Sequence, residues 1–190
     1  MSLELLGACM YANKTQTLLY KLSADDAIGK KVLYINHAID TRSNQAFSTH
    51  NKLFNINNMT NIVMVKYNQL PDLQDVMIYD TIGIDEFSFF ENYNNILKYV
   101  EEGQKRVIVA GLVGDFKRQQ FGHIIDLIPY CDSYTQLYAW CVPCAKETNQ
   151  NVNALFTYKY QGNQDCQIDV GASDKYIPVC RKHYLALNNV

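Results

Sequence analysis

The chain has 190 residues, 48% of them hydrophobic and 19% charged, with a formal net charge of −2, which suits one ordinary domain or one domain with a small appendage. That charge gives no global case for binding nucleic acid or an anionic membrane, and no apolar run approaches the roughly 20 residues of a membrane-spanning helix. The start, Met1-Ser2-Leu3-Glu4, lacks the basic opening and long apolar stretch of a signal peptide, so a reducing cytoplasm is the expected compartment.

In chain order the elements read as α/β. Strands are predicted at residues 3–6, 31–36, 62–66, 76–84, 106–112 and 136–140, several as near-continuous apolar runs of the kind buried on both faces of a parallel sheet. Helices are predicted at 15–22, 91–102 and 123–127. Residues 41–60 are polar and rich in Asn and Ser, and read as a loop or hairpin. After Cys141 the character shifts to turns and short strands, at 156–160 and 166–170. A boundary near residue 140 therefore separates an α/β core (1–140) from a small β-rich lobe (141–190).

Between the first strand and first helix lies Ala8-Cys9-Met10-Tyr11-Ala12-Asn13-Lys14-Thr15. The phosphate-binding loop G-x-x-x-x-G-K-[ST] has this position, with backbone N–H groups cradling phosphates, a Lys reaching the outer ones and a hydroxyl on Mg²⁺. Lys14 and Thr15 match it, whereas Ala8 and Asn13 stand where glycines belong. Asn is the least costly replacement where φ must be positive. Taken alone, the segment reads equally as a strand–turn–helix with a chance Lys-Thr.

The predicted strand at 76–84 ends in Asp85-Glu86. In a phosphate-loop protein an acid there holds Mg²⁺, and a second acid one residue on can accept a proton from a substrate hydroxyl. The bland alternative is an acidic strand end capping the next helix. Arg42, after another strand, has the fork geometry for phosphate, although a surface ion pair is a commoner fate. Phe87 and Phe90 read as core. His37, His50 and His123 have no partner cluster and read as non-catalytic.

Six cysteines in a reducing compartment suit ligation better than disulfides. Cys141-Val142-Pro143-Cys144 and Cys180-Arg181-Lys182-His183 are two knuckles that match a tetrahedral zinc cage. Three thiolates and one imidazole would close the shell, giving a structural zinc that staples a lobe too small to bury its own core.

These pieces, in this order, resemble the zinc-containing (type II) thymidine kinases across nearly the whole chain. Met10 to Thr15 is similar to that family's M-F-[SA]-G-K-T, Asp40-Thr41-Arg42 to D-T-R, Phe47-Ser48-Thr49-His50 to F-S-T-H and Ile82-Gly83-Ile84-Asp85-Glu86 to I-G-I-D-E. Gly111 to Phe121 is similar to A-L-D-G-T-F-Q-R-K-P-F, and Gly171 to Tyr184 to G-G-A-D-K-Y followed by V-C-R-K-C/H-Y. The resemblance implies a P-loop NTPase-like parallel sheet flanked by helices, with transfer of the γ-phosphoryl of ATP to the 5′-hydroxyl of thymidine or deoxyuridine. It implies Glu86 as general base, Asp85 and Thr15 linked to Mg²⁺, and Ala8, Asn13, Lys14 and Arg42 at the phosphates. It further implies Met10, Phe89, Leu112, Phe116, Phe121 and Tyr176 around the base, a closing loop before Cys180, and a homotetramer.

The departures gather at the site. Besides Ala8 and Asn13, Phe87-Ser88 replaces a common Gly-Gln, Val113 an Asp, and Asp115 a Thr. Two functions stay open: a thymidine kinase, or a thymidine-kinase-like protein with lost or weakened catalysis that serves as a nucleotide-binding or structural subunit.

Overall fold

Six strands form the centre: β1 (Ser2–Ala8), β2 (Val32–His37), β3 (Ile62–Tyr67), β4 (Thr81–Ile84), β5 (Arg106–Leu112) and β6 (Ser133–Gln136). They lie in one sheet in the order β3-β2-β4-β5-β1-β6, and every neighbouring pair is parallel. The structure is a computed structural model that describes residues 1–40, 59–162, 167 and 175–189. Arg42, Phe47 to His50, most of the predicted loop at 41–60, Gly171 to Asp174 and, apart from Gln167, the predicted strand at 166–170 lie outside the described residues.

Parallel neighbours need crossovers, and helices supply them. Helix α1 (Lys14–Ala27) runs five residues beyond its predicted end and buries Leu18, Leu19 and Leu22 against Leu6, Val32, Tyr34, Ile108 and Ala110. It sits close over β4, where a Cβ on Gly83 would lie 2.5 Å from Leu22. Only a residue without a side chain lets the helix sit that low. The opposite face of the sheet packs Leu3, Leu5, Ile35, Ile84, Val107 and Val109 against Phe87, Phe90, Ile96 and Tyr99.

The predicted strand at 76–84 is corrected to β4 alone. Val76 closes the short helix α2 (Leu73–Val76), and the Asp80 and Thr81 amides first join the sheet region by donating to the Lys31 carbonyl. The predicted helix at 91–102 begins later, as α3 (Asn95–Leu97) continuing through a wider turn at Lys98–Glu102. Asn92 is occupied elsewhere, its side chain bonding both the N–H and the C=O of Leu70. The predicted helix at 123–127 is a 3₁₀ stretch at Ile125–Tyr130. The predicted strand at 136–140 splits: β6 ends at Gln136, and β7 (Ala139–Trp140) pairs antiparallel with β8 (Asn153–Ala154). As an edge strand with exposed side chains, β6 carries no apolar signature.

Beyond residue 140, helix α4 (Val142–Thr148), β9 (Phe156–Lys159), β10 (Tyr176–Val179) and helix α5 (Arg181–Asn188) complete the described chain. β9 and β10 form an antiparallel pair. Ala139, Cys141, Cys144, Ala154, Val179, Cys180 and Tyr184 share one apolar cluster with Ala8, Cys9 and Ala12. This region therefore packs directly on the loop after β1. No helix among the described residues is long and apolar enough to cross a membrane.

Candidate functional site

The carboxyl ends of β1 and β4 lie along one edge of the sheet, with β5 between them, the usual place for ligands in parallel α/β sheets. Asn13 turns the chain into α1 with φ 55° and ψ 31°, in the left-handed region, and its carbonyl accepts the Thr17 amide and hydroxyl at 2.9 Å each. Asn13 thus adopts the backbone conformation for which a glycine is usually used. Lys14 Nζ reaches back across the loop to the Cys9 carbonyl at 3.2 Å. Ala8 is fully buried beside Leu112, in space where a methyl group is accommodated.

Strand alternation places Thr81, Gly83 and Asp85 toward α1. The close seating of α1 over Gly83 brings its first turn to the strand end, where Thr15 Oγ1 donates to Asp85 Oδ2 at 2.6 Å. Tyr34 Oη donates to the same oxygen at 2.9 Å, and the Glu86 amide to Oδ1 at 2.9 Å. Burial, with the Glu86 charge, pushes the Asp85 carboxyl up to about 6, and these hydrogen bonds oppose the shift. The Tyr34 hydroxyl is driven well above its ordinary range by burial and by Asp85. Glu86 holds φ 49° and ψ 37°, a left-handed conformation that non-glycine residues adopt at a cost and that recurs at active sites.

Beyond Glu86, Phe87 and Phe90 are fully buried, as core. Phe89 meets Phe121 edge-to-face at 5.5 Å between ring centroids, and Phe116 lies 6.4 Å from Tyr176. Ser88 ties this segment to the end of β5: its hydroxyl accepts from Leu112 N at 2.8 Å and donates to Leu112 O at 3.1 Å. The Met10 amide donates to Thr157 Oγ1 on β9 at 3.2 Å. A cavity of about 190 Å³ opens between Ala8 and Cys9, Gly114 and Asp115, and Phe156 and Thr157. Asp115 does not supply an acid to the Lys14–Asp85 centre. Its Oδ1 accepts the Lys117 and Gln119 amides at 2.8 Å each, so it builds its own turn.

Three residues here have no role that the sequence assigns. Tyr34 sits in an apolar run and reads as core. Ser88 stands out in the sequence only as a departure from the family pattern, with no role attached to it. Lys159 is itself buried, on the same face of β9 as Thr157, a place where a lysine is not expected, and its Nζ lies 4.8 Å from the Phe116 ring centre and 5.6 Å from that of Tyr176. His37 and His123 behave as structural groups. His37 packs edge-on against Phe90 at 4.7 Å, and His123 stacks on Tyr93 at 4.2 Å and pairs with Asp126 at 2.8 Å.

The second centre joins Cys141, Cys144, Cys180 and His183, whose ligand atoms all lie within 4.8 Å of one another. Cys141 and Cys180 immediately precede α4 and α5, and their partners fall in the first turn of each helix. Zinc bonds of about 2.3 Å to sulfur and 2.0–2.1 Å to nitrogen, at tetrahedral angles, put sulfurs about 3.8 Å apart and sulfur and nitrogen about 3.5 Å apart. Cys144 and Cys180 sulfurs are 3.8 Å apart, and His183 Nδ1 lies 3.5, 3.3 and 3.3 Å from the three sulfurs. Burial raises the Cys180 thiol, but hydrogen bonds from His183 and the two neighbouring thiols outweigh it and bring it down to about 7. Glu147 Oε2 lies 3.2 Å from His183 Nε2, the outer partner that orients a metal-binding imidazole. The donor set and its spacing fit zinc.

A family model described as thymidine kinase matches residues 1–184. A thymidine kinase of Amsacta moorei entomopoxvirus is 36% identical over 188 residues, 97% of this chain and 98% of that protein. Thymidine kinase a of Arabidopsis thaliana is 32% identical, covering 93% of this chain and 71% of its own length. A cytosolic thymidine kinase of Cricetulus griseus is 30% identical, covering 95% and 72%.

Proposed function

From the premise that the chain belongs to the thymidine kinase family, whose reaction is the phosphorylation of thymidine, we propose that it transfers the γ-phosphoryl of ATP to the 5′-hydroxyl of thymidine or deoxyuridine. Lys14 and the loop amides from Ala8 to Asn13 bind the phosphates, joined by Arg42. Thr15 and Asp85 offer a hydroxyl and a carboxylate in contact at 2.6 Å, hard oxygen donors of the kind Mg²⁺ takes. When bound, that ion neutralises charge on the triphosphate. Glu86 orients the 5′-hydroxyl and accepts its proton as the bond to phosphorus forms. Met10, Phe89, Leu112, Phe116, Phe121 and Tyr176 enclose the base and exclude water. We assign residues 141–190 to a zinc-stapled lobe over the 1–140 core, in a cytoplasmic homotetramer.

The observation that carries this reading is the joining of Thr15 to Asp85, seventy residues apart, beside a Glu86 held in a left-handed conformation. A subunit that had abandoned the reaction has no need of either. The test is TMP formation from ATP, Mg²⁺ and thymidine by zinc-replete protein. The expected result is turnover that Glu86→Gln lowers by about 10²–10⁴-fold without changing the melting temperature. Wild-type protein giving no TMP above a blank overturns the proposal.

A further inference from the structure

Tyr34 lies in the middle of β2, fully buried, on the face that packs α1. A buried phenol needs a hydrogen-bond partner, and the sheet register decides which. Tyr34 pairs with Gly83 on β4. Gly83 has no side chain, so the phenol meets the next residue on the same face, Asp85. There it joins Thr15 on Oδ2, at 2.9 and 2.6 Å, while the Glu86 amide occupies Oδ1 at 2.9 Å. Three donors fill three of the roughly four lone-pair sites of this carboxylate.

Two hydroxyls on one oxygen, arriving from different elements, triangulate the group. With Thr15 and the Glu86 amide alone, the carboxylate could still tilt with movements of α1. The hydroxyl from the sheet fixes it to β2. We propose that Tyr34 is a positioning residue for the divalent cation of the nucleotide, holding Asp85 so that the Thr15 oxygen and the remaining Oδ1 lone pair face the phosphate loop. Supporting groups of this kind are what give a metal site its precision. The proposal rests on the kinase reading above and names a residue that reading does not use.

Tyr34→Phe removes one oxygen and keeps the ring. The experiment measures Mn²⁺ binding by electron paramagnetic resonance, with a non-hydrolysable ATP analogue present, and thymidine binding by calorimetry. The expected result is Mn²⁺ affinity weakened about tenfold, equivalent to roughly 1.4 kcal/mol, with thymidine affinity unchanged. Mn²⁺ affinity equal to that of the wild type overturns the positioning role and leaves the kinase reading standing. Metal and thymidine affinity falling together also overturns it, because that pattern marks a general structural loss. Wild-type protein that binds no Mn²⁺ with the nucleotide overturns both.

Discussion

Asn13 carries the turn into α1 at φ 55°, a conformation that costs most L-residues about 1–2 kcal/mol but that Asn visits through its short polar side chain. The loop is therefore built, with Thr17 bonded back to the Asn13 carbonyl, and the residual strain is small. Asn13→Gly should raise kcat/KM by less than about tenfold, since each 1.36 kcal/mol is worth a factor of ten. A gain of several hundredfold in steady-state assays would show that the side chain blocks the site rather than straining the turn. The neighbouring departures are absorbed in different ways. Ser88 turns to both backbone groups of Leu112, and Asp115 closes a turn of its own. Asn13, Lys14, Thr15, Asp85 and Glu86 are visible in the motifs, whereas Tyr34 is invisible there because a tyrosine in an apolar strand has no local feature that announces a carboxylate 51 residues away.

At the level of elements, α4 and α5 each begin on one zinc knuckle, and β7, β8, β9 and β10 are too short to hold a core alone. Metal binding and folding are coupled in such a region. Elemental analysis should give one zinc per chain, and Cys144→Ser or a strong chelator should lower the melting temperature. Because Ala8, Cys9 and Ala12 share the lobe's apolar cluster, nucleotide affinity should fall with it. Metal-stripped protein that melts and binds ATP as before would refute the stapling role. The ligand spacing is readable because two residues separate each pair along one turn. The helices themselves are not legible in the sequence because both are short, seven and eight residues. Edge strand β6 is not legible either: with its side chains exposed it owes its position to pairing with β1.

Across the whole molecule, the site is kept at a cost to stability. Asp85 is 2% exposed, and its carboxyl is raised from 3.8 to about 6 by burial and by Glu86. A group raised in the folded state favours folding while protonated. That benefit is lost as pH rises through the interval from about 4 to about 6, and above it the full cost of a buried charge remains. Asp85→Asn, whose amide the Thr15 and Tyr34 hydroxyls can meet by rotating, should raise the melting temperature of the ligand-free protein by several degrees at pH 7.5 and by less at pH 5. An equal gain at both values, or a loss, in calorimetry would contradict this account. By itself the sequence determined the α/β class, the four Cys and His residues of the candidate metal centre and the order of loop, acid pair and knuckles. Those features reside in apolar runs and fixed short spacings, which a linear chain displays directly. Only the tertiary structure decided that Thr15 and Tyr34 converge on one oxygen of Asp85, that Ser88 clasps Leu112, and that Lys159 meets the rings of both Phe116 and Tyr176. The partners in these contacts lie far apart in the chain, and strand order, register and the low seating of α1 over Gly83 bring them together.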